Sequence, residues 1–172
     1  MHTFLNKTKR SIIHLVTTKR DINNIFPASA LKAIEQAIEQ SERTHTGEVR
    51  VVIESALDMS AIWAEQTPRE RAIEVFSELH IWDTEDNNGV LVYVLLADHA
   101  IEFVADRGVN SRVPADHWQH ICDALQTEFK QGRYEQGLLL GVSKVHDTLN
   151  AHFPCTQGGG NNELPNAPVL LR

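Results

Sequence analysis

With 172 residues, 42% of them hydrophobic and 23% charged, the chain has ordinary globular proportions, which exclude a disordered or fibrous protein. That length supports one domain with a packed core, without disulfides or a structural metal. The formal net charge of -7 excludes the broad basic surface that displaces counterions from phosphates, so no nucleic-acid partner is expected.

The charge is unevenly spread. Residues 1–20 carry Lys7, Lys9, Arg10, Lys19 and Arg20 with no acid, a charge of +5 that leaves -12 for the remainder. Phe4, Leu5, Ile12, Ile13, Leu15 and Val16 give residues 1–26 a loose apolar face, so this segment reads as a basic amphipathic N-terminal arm. The uneven spacing of its apolar residues favours docking on the domain. A helix over residues 3–16 also has the pattern for weak, salt-sensitive contact with an anionic membrane surface.

Pro27 then stands near the start of an amphipathic helix over 29–44, with Leu31, Ile34, Ala37 and Ile38 at helical spacing. Val49, Val51, Val52 and Ile53 follow Gly47 and predict a buried strand over 48–55. Thr67-Pro68-Arg69-Glu70 is a capping box with Pro at the first helical position, opening a helix that runs to about His80. After the polar turn residues 83–89, the apolar run 90–97 predicts a central strand covered on both faces. Asp98-His99-Ala100 leaves room only for a tight hairpin, so residues 101–105 return antiparallel. Asp106-Arg107-Gly108 ends that strand.

Two helices complete the pattern, over 114–130 with Trp118, Ile121, Cys122, Leu125 and Phe129, and over 134–153 with Leu138, Leu139, Val142, Val145 and Leu149. Residues 27–154 therefore form the α/β domain, a three-layer α/β/α sandwich with a short mixed sheet. Residues 155–172 read as a flexible Gly-rich C-terminal tail around Gly158-Gly159-Gly160-Asn161-Asn162, in which residues 164–171 either fold back as an extended strap or stay loose. Cys122 and Cys155 follow no metal or redox spacing, and Cys122 sits in an apolar helical pattern where a buried thiol is expected. The longest apolar run is too short to span a bilayer and no signal-peptide pattern opens the chain, so a cytoplasmic location is expected.

The crossover between the first two strands makes them parallel, and the hairpin makes the third antiparallel to the second. Three loops should therefore meet at one sheet edge: Thr46-Gly47-Glu48, residues 83–89, and Asp106-Arg107-Gly108. Glu48, Asp83, Glu85, Asp86 and Asp106 are the candidate ligands there for a hard cation, Ca or Mg, with Arg107 a candidate anion contact. Read without a ligand, the same residues are solvated turn positions chosen for backbone geometry. Open α/β sheets usually bind ligands at the opposite end, where Ser55, Asp58, Asp98 and His99 should lie. The acidic edge carries more weight because it gathers more polar residues.

Several motifs are excluded. The glycine and twelfth-position acid of an EF-hand are misplaced in residues 83–94, and His117 and His120 lack the glutamate of a zincin helix, which leaves them as surface histidines. No Cys-x5-Arg or Asp-x-Asp nucleophile loop and no glycine-rich nucleotide motif is present.

Four blocks in order, Thr46-Gly47-Glu48-Val49-Arg50-Val51-Val52, Asn87-Asn88-Gly89-Val90-Leu91-Val92-Tyr93, Asp106-Arg107-Gly108 and Phe129-Lys130-Gln131-Gly132-Arg133-Tyr134-Glu135-Gln136-Gly137, resemble the TPM domain family over about residues 28–153. The resemblance implies an α/β sandwich. It also implies a functionally mixed group: thylakoid members linked to photosystem II repair, membrane-anchored bacterial members and an animal receptor accessory protein, some with acid phosphatase activity or divalent-cation binding. This chain departs from the pattern at Asn110, where many members have an acid, and at Asp106, which replaces the first glycine of the turn. With no nucleophile in view, the expected function is a noncatalytic binding or accessory domain with a protein partner and a divalent-cation site. The alternative is a metal-assisted acid phosphatase in which the same acids hold the metal and Arg107 steadies a phosphate oxygen.

Overall fold

The computed structural model describes residues 2–155 and 162–172, with side chains from residue 7 onward. The expected roles of Phe4 and Leu5 and of Gly158 to Asn161 lie outside the described residues.

The capping box at Thr67 forms as read: Thr67 Oγ1 accepts from the Glu70 N–H, and the Glu70 carboxylate accepts from the Thr67 N–H. It opens helix α5 (Pro68–Glu78). The other helices are α1 (His2–Val16), α2 (Lys19–Ile25), α3 (Ala28–Ser41), α4 (Met59–Trp63), α6 (Arg107–Asn110), α7 (His117–Lys130) and α8 (Tyr134–His152). The strands are β1 (Val49–Glu54), β2 (Val90–Leu95), β3 (Ala100–Ala105) and β4 (Val169–Leu171), in the sheet order β3-β2-β1-β4. β1 is parallel to β2 and to β4, and β2 is antiparallel to β3.

Both faces of β1 and β2 are buried, which accounts for the continuous apolar sequence of β2 and for the apolar positions of β1, where Arg50 and Glu54 are buried charged residues. One face carries Val49, Val51, Ile53, Val90, Val92 and Val94 against α2, α3, α7 and α8. The other carries Val52, Leu91, Tyr93 and Leu95 against α4 and α5. The three-layer α/β/α sandwich with a mixed sheet is thus present. Cys122 is buried in the first layer, where burial pushes its thiol up to about 12, so it is an inert core group. Among the described residues no helix is long and apolar enough to cross a membrane.

Two parts of the chain are more ordered into the body than their composition suggests. Of the two alternatives for residues 164–171, the strap is realised, and its last residues pair with β1 as Val52↔Val169, Ile53↔Leu170 and Glu54↔Leu171. The arm is helical and docked. The Leu57 N–H donates to His14 Nδ1 at 2.9 Å, which leaves the ring proton on Nε2 to bond Asp98 Oδ1 at 2.9 Å. Arg10 grips the same carboxylate, Nη2 to Oδ2 at 2.6 Å. Ile12, Leu15 and Val16 remain exposed on the outer side of α1.

Candidate functional site

The pairing Val49↔Val90 and Val90↔Ala105 puts the starts of β1 and β2 and the end of β3 in one row. The three loops converge there as the topology requires. Their backbones are stitched by Val90 N–H to Glu48 O at 2.8 Å, Asp106 N–H to Gly89 O at 2.9 Å and Gly108 N–H to Asn87 O at 3.0 Å. Two glycines make this approach possible. A Cβ on Gly89 would stand 2.0 Å from Ile81 O, and one on Gly108 would stand 2.4 Å from Asn87 O and 2.8 Å from Asp86 O.

Side chains add a second layer of stitching. Thr46 Oγ1 donates to Asp86 Oδ2 at 3.0 Å and accepts from Asn88 Nδ2 at 3.1 Å. Arg107 Nε donates to Asn87 Oδ1 at 3.0 Å. Thr46, Asn87 and Asn88 were not among the expected site residues, although the four-block pattern contains all three. Their role is legible only once the loops are known to touch.

The five expected ligands do not form one set, and among the described residues no group of three or more His, Cys, Asp or Glu side chains stands in a metal-holding arrangement. Glu48 is buried and turned away, its two oxygens accepting from the N–H groups of Glu163 and Leu164 at 3.1 Å each. Burial pushes its carboxyl up, against the pull of those two N–H groups. Asp83, Glu85 and Asp86 are exposed, and Asp86 Oδ2 is engaged by Thr46. Asp106 differs from the rest. Its Oδ1 accepts from the Arg107 N–H at 2.6 Å, capping α6, while its Oδ2 is buried with no partner. Clustering of all five was expected from strand ends alone, and strand ends do not fix where side chains turn.

Asn110 also has a definite job. Its amide donates to Ala105 O at 2.8 Å and its oxygen accepts from Trp118 Nε1 at 2.9 Å, so it ties α6 to β3 and α7. His117 is half-buried and bonds Thr148 Oγ1 at 2.9 Å, whereas His120 is exposed as expected of a surface histidine.

Glu48 instead belongs to a clasp on the strap. Arg50 Nη1 donates to Ala167 O at 3.3 Å, and Ser55 Oγ donates to Arg172 O at 2.7 Å. Beside them Glu42 Oε1 accepts from the Val49 N–H at 3.0 Å. Burial, reinforced by the neighbouring Glu48, pushes the Glu42 carboxyl up to about 8.

Residues 20–148 match the family model for the TPM domain. The chain belongs to the TPM domain family. No curated protein matches it. Among solved structures, this TPM domain is similar to the BA42 protein from the psychrophilic bacterium Bizionia argentinensis, at 35% identity and a TM-score of 0.71, over 84% of this chain and 94% of that one. It shares its fold with the N-terminal domain of a protein from P. gingivalis, at 17% identity and a TM-score of 0.61, over 75% of this chain and 79% of that one. The match begins at residue 20, after α1. The docked first helix therefore lies outside the matched region.

Proposed function

We propose that this TPM domain is a noncatalytic binding module whose loop edge recognises a protein partner and holds a hard divalent cation, Ca or Mg. The observation that carries the cation reading is the buried, unpartnered Oδ2 of Asp106, an oxygen whose desolvation is otherwise uncompensated. Asp86 and the backbone carbonyls of Asp86 and Asn87, which crowd Gly108, supply further hard oxygen donors nearby. The exposed Asp83 and Glu85 are candidate outer ligands. Glu48 is held by the strap and is the weakest of the five candidates. A bound cation would neutralise Asp106 and Asp86 and stiffen the loops that the partner reads.

The noncatalytic reading rests on the polar groups of this edge, which are engaged in joining loops. Arg107 is bonded to Asn87, and Thr46 bridges Asp86 and Asn88. The acid phosphatase alternative shares the edge and differs in turnover. Amide NMR during titration with calcium or magnesium tests the cation. Shifts at residues 86–89 and 106–108 at millimolar ion are expected, and unmoved amides there would sink the cation reading. Phosphomonoester assays with added metal test catalysis. No turnover above background is expected, and turnover abolished by Asp106→Ala would overturn the noncatalytic reading.

A further inference from the structure

The opposite end of the sheet carries a separate concavity. A cavity of about 310 Å³ opens at the carboxyl ends of the strands, between the β2–β3 hairpin and the α7–α8 junction. That volume falls at the small end of ligand sites, and the place is where open α/β sheets commonly receive ligands. Its apolar floor is Leu96, Ile101 and Phe129, and Tyr134 packs edge-on against Phe129 with ring centroids 5.0 Å apart.

Two cationic or cation-capable side chains line this floor, Lys130 from the last turn of α7 and His99 from the hairpin. Lys130 forms no ion pair among the described residues. The carboxylates closest to these two in sequence are already engaged, Glu128 by Arg133 at 2.6 Å and Asp98 by the Arg10 guanidinium at 2.6 Å, with His14 hydrogen-bonded beside it. His99 has φ 51, a left-handed turn conformation in which histidine, like asparagine and aspartate, is enriched among non-glycine residues.

We propose that this cavity binds a small organic monocarboxylate with an apolar body, an aryl or medium-chain acid. Its chain or ring lies on Leu96, Ile101 and Phe129, and its carboxylate meets Lys130 with His99 alongside. The apolar floor supplies the attraction and the unpaired ammonium sets the sign of charge accepted. The site is independent of the loop edge, which lies at the other end of the strands.

Octanoate is the probe, with octanol and octylamine as matched controls, titrated into the full chain and followed by calorimetry and amide NMR. Octanoate is expected to bind and to shift the amides of His99, Lys130 and Tyr134. Octanol is expected to bind roughly tenfold more weakly, the size of one charge-assisted hydrogen bond, and octylamine more weakly still. Lys130→Met should bring octanoate down to the level of octanol without changing octanol. Gln126→Trp, which fills the cavity from its half-exposed wall, should remove binding of both while the circular dichroism spectrum stays unchanged. No octanoate binding at millimolar concentration would overturn the proposal. So would equal binding of all three probes with no effect of Lys130→Met.

Discussion

Thr46 Oγ1 donates to Asp86 Oδ2 across 3.0 Å, joining loops forty residues apart in sequence, and the same hydroxyl is the acceptor for the buried Asn88 amide. Thr46→Val keeps the shape and removes both bonds. Because Asn88 is 1% exposed, its amide would be left buried without an acceptor, a loss of about 1–3 kcal/mol. Denaturant unfolding should show that loss, and hydrogen exchange should quicken at residues 84–90. An unchanged midpoint with unchanged exchange would mean that the hydroxyl holds nothing together.

The strap clasp predicts an alkaline weakness. Burial raises the Glu42 carboxyl from 4.5 to about 8, so it folds most readily as the neutral acid. The stability this gives is complete below pH 4.5 and is lost as pH rises through about 8. Glu42→Gln keeps an oxygen for the Val49 N–H and cannot ionise. At pH 9 it should be more stable than the parent chain by on the order of 2 kcal/mol, and near pH 5 the two should be similar. Parallel stability curves across that range would show that Glu42 is not the titrating group.

On the acid side the buried His45, its ring centroid 5.5 Å from that of the half-buried His146, acts in the opposite sense. Burial and then the neighbouring His146 lower His45 from 6.5 to about 4. A folded-state value below the unfolded one gives stability that is complete above pH 6.5 and lost as pH falls toward 4. His45→Phe retains a ring without the titration. Thermal melts should show a shallower fall between pH 6.5 and 4 for this variant, and identical slopes would clear His45 of the acid sensitivity.

Removal of the arm should cost the body stability. A chain beginning at Asp21 lacks His14 and Arg10, which leaves the Leu57 N–H and the half-buried Asp98 carboxylate without their partners. Burial pushes Asp98 up, and the bonds from Arg10 and His14 more than reverse it, so its carboxyl sits below the usual range. The shortened chain should lose about 2 kcal/mol or more. The same two chains test the membrane contact proposed for residues 3–16, for which Ile12, Leu15 and Val16 are exposed. Cosedimentation with anionic vesicles should be weak, reduced by salt and absent in the shorter chain. Equal stability of the two would contradict the docked role.

The sheet was readable because each of its core strands announces itself. The continuous apolar run of β2, the hairpin too short to cross over and the helix long enough to do so leave one arrangement of β1, β2 and β3. Convergence of the loops followed from that arrangement. The direction of Glu48 did not, because it depends on residues 163–164, more than a hundred positions away. β4 was equally hard to see, since three residues give no period to detect. α6 is a single turn whose cap, Asp106, was read as a ligand, and an aspartate at a helix start serves either purpose. The docked His14 left no signal, because its partners Leu57 and Asp98 come from distant loops.

β4 follows every other strand and helix in the chain, so during synthesis the rest of the sheet can assemble while the outer edge of β1 still lacks its partner. Until residues 169–171 clear the ribosome, a row of unpaired backbone groups at Val52, Ile53 and Glu54 is open to neighbouring nascent chains. A chaperone that shields strand edges would matter most to this protein in that interval, and slowed translation of residues 155–171 should favour aggregation over correct closure.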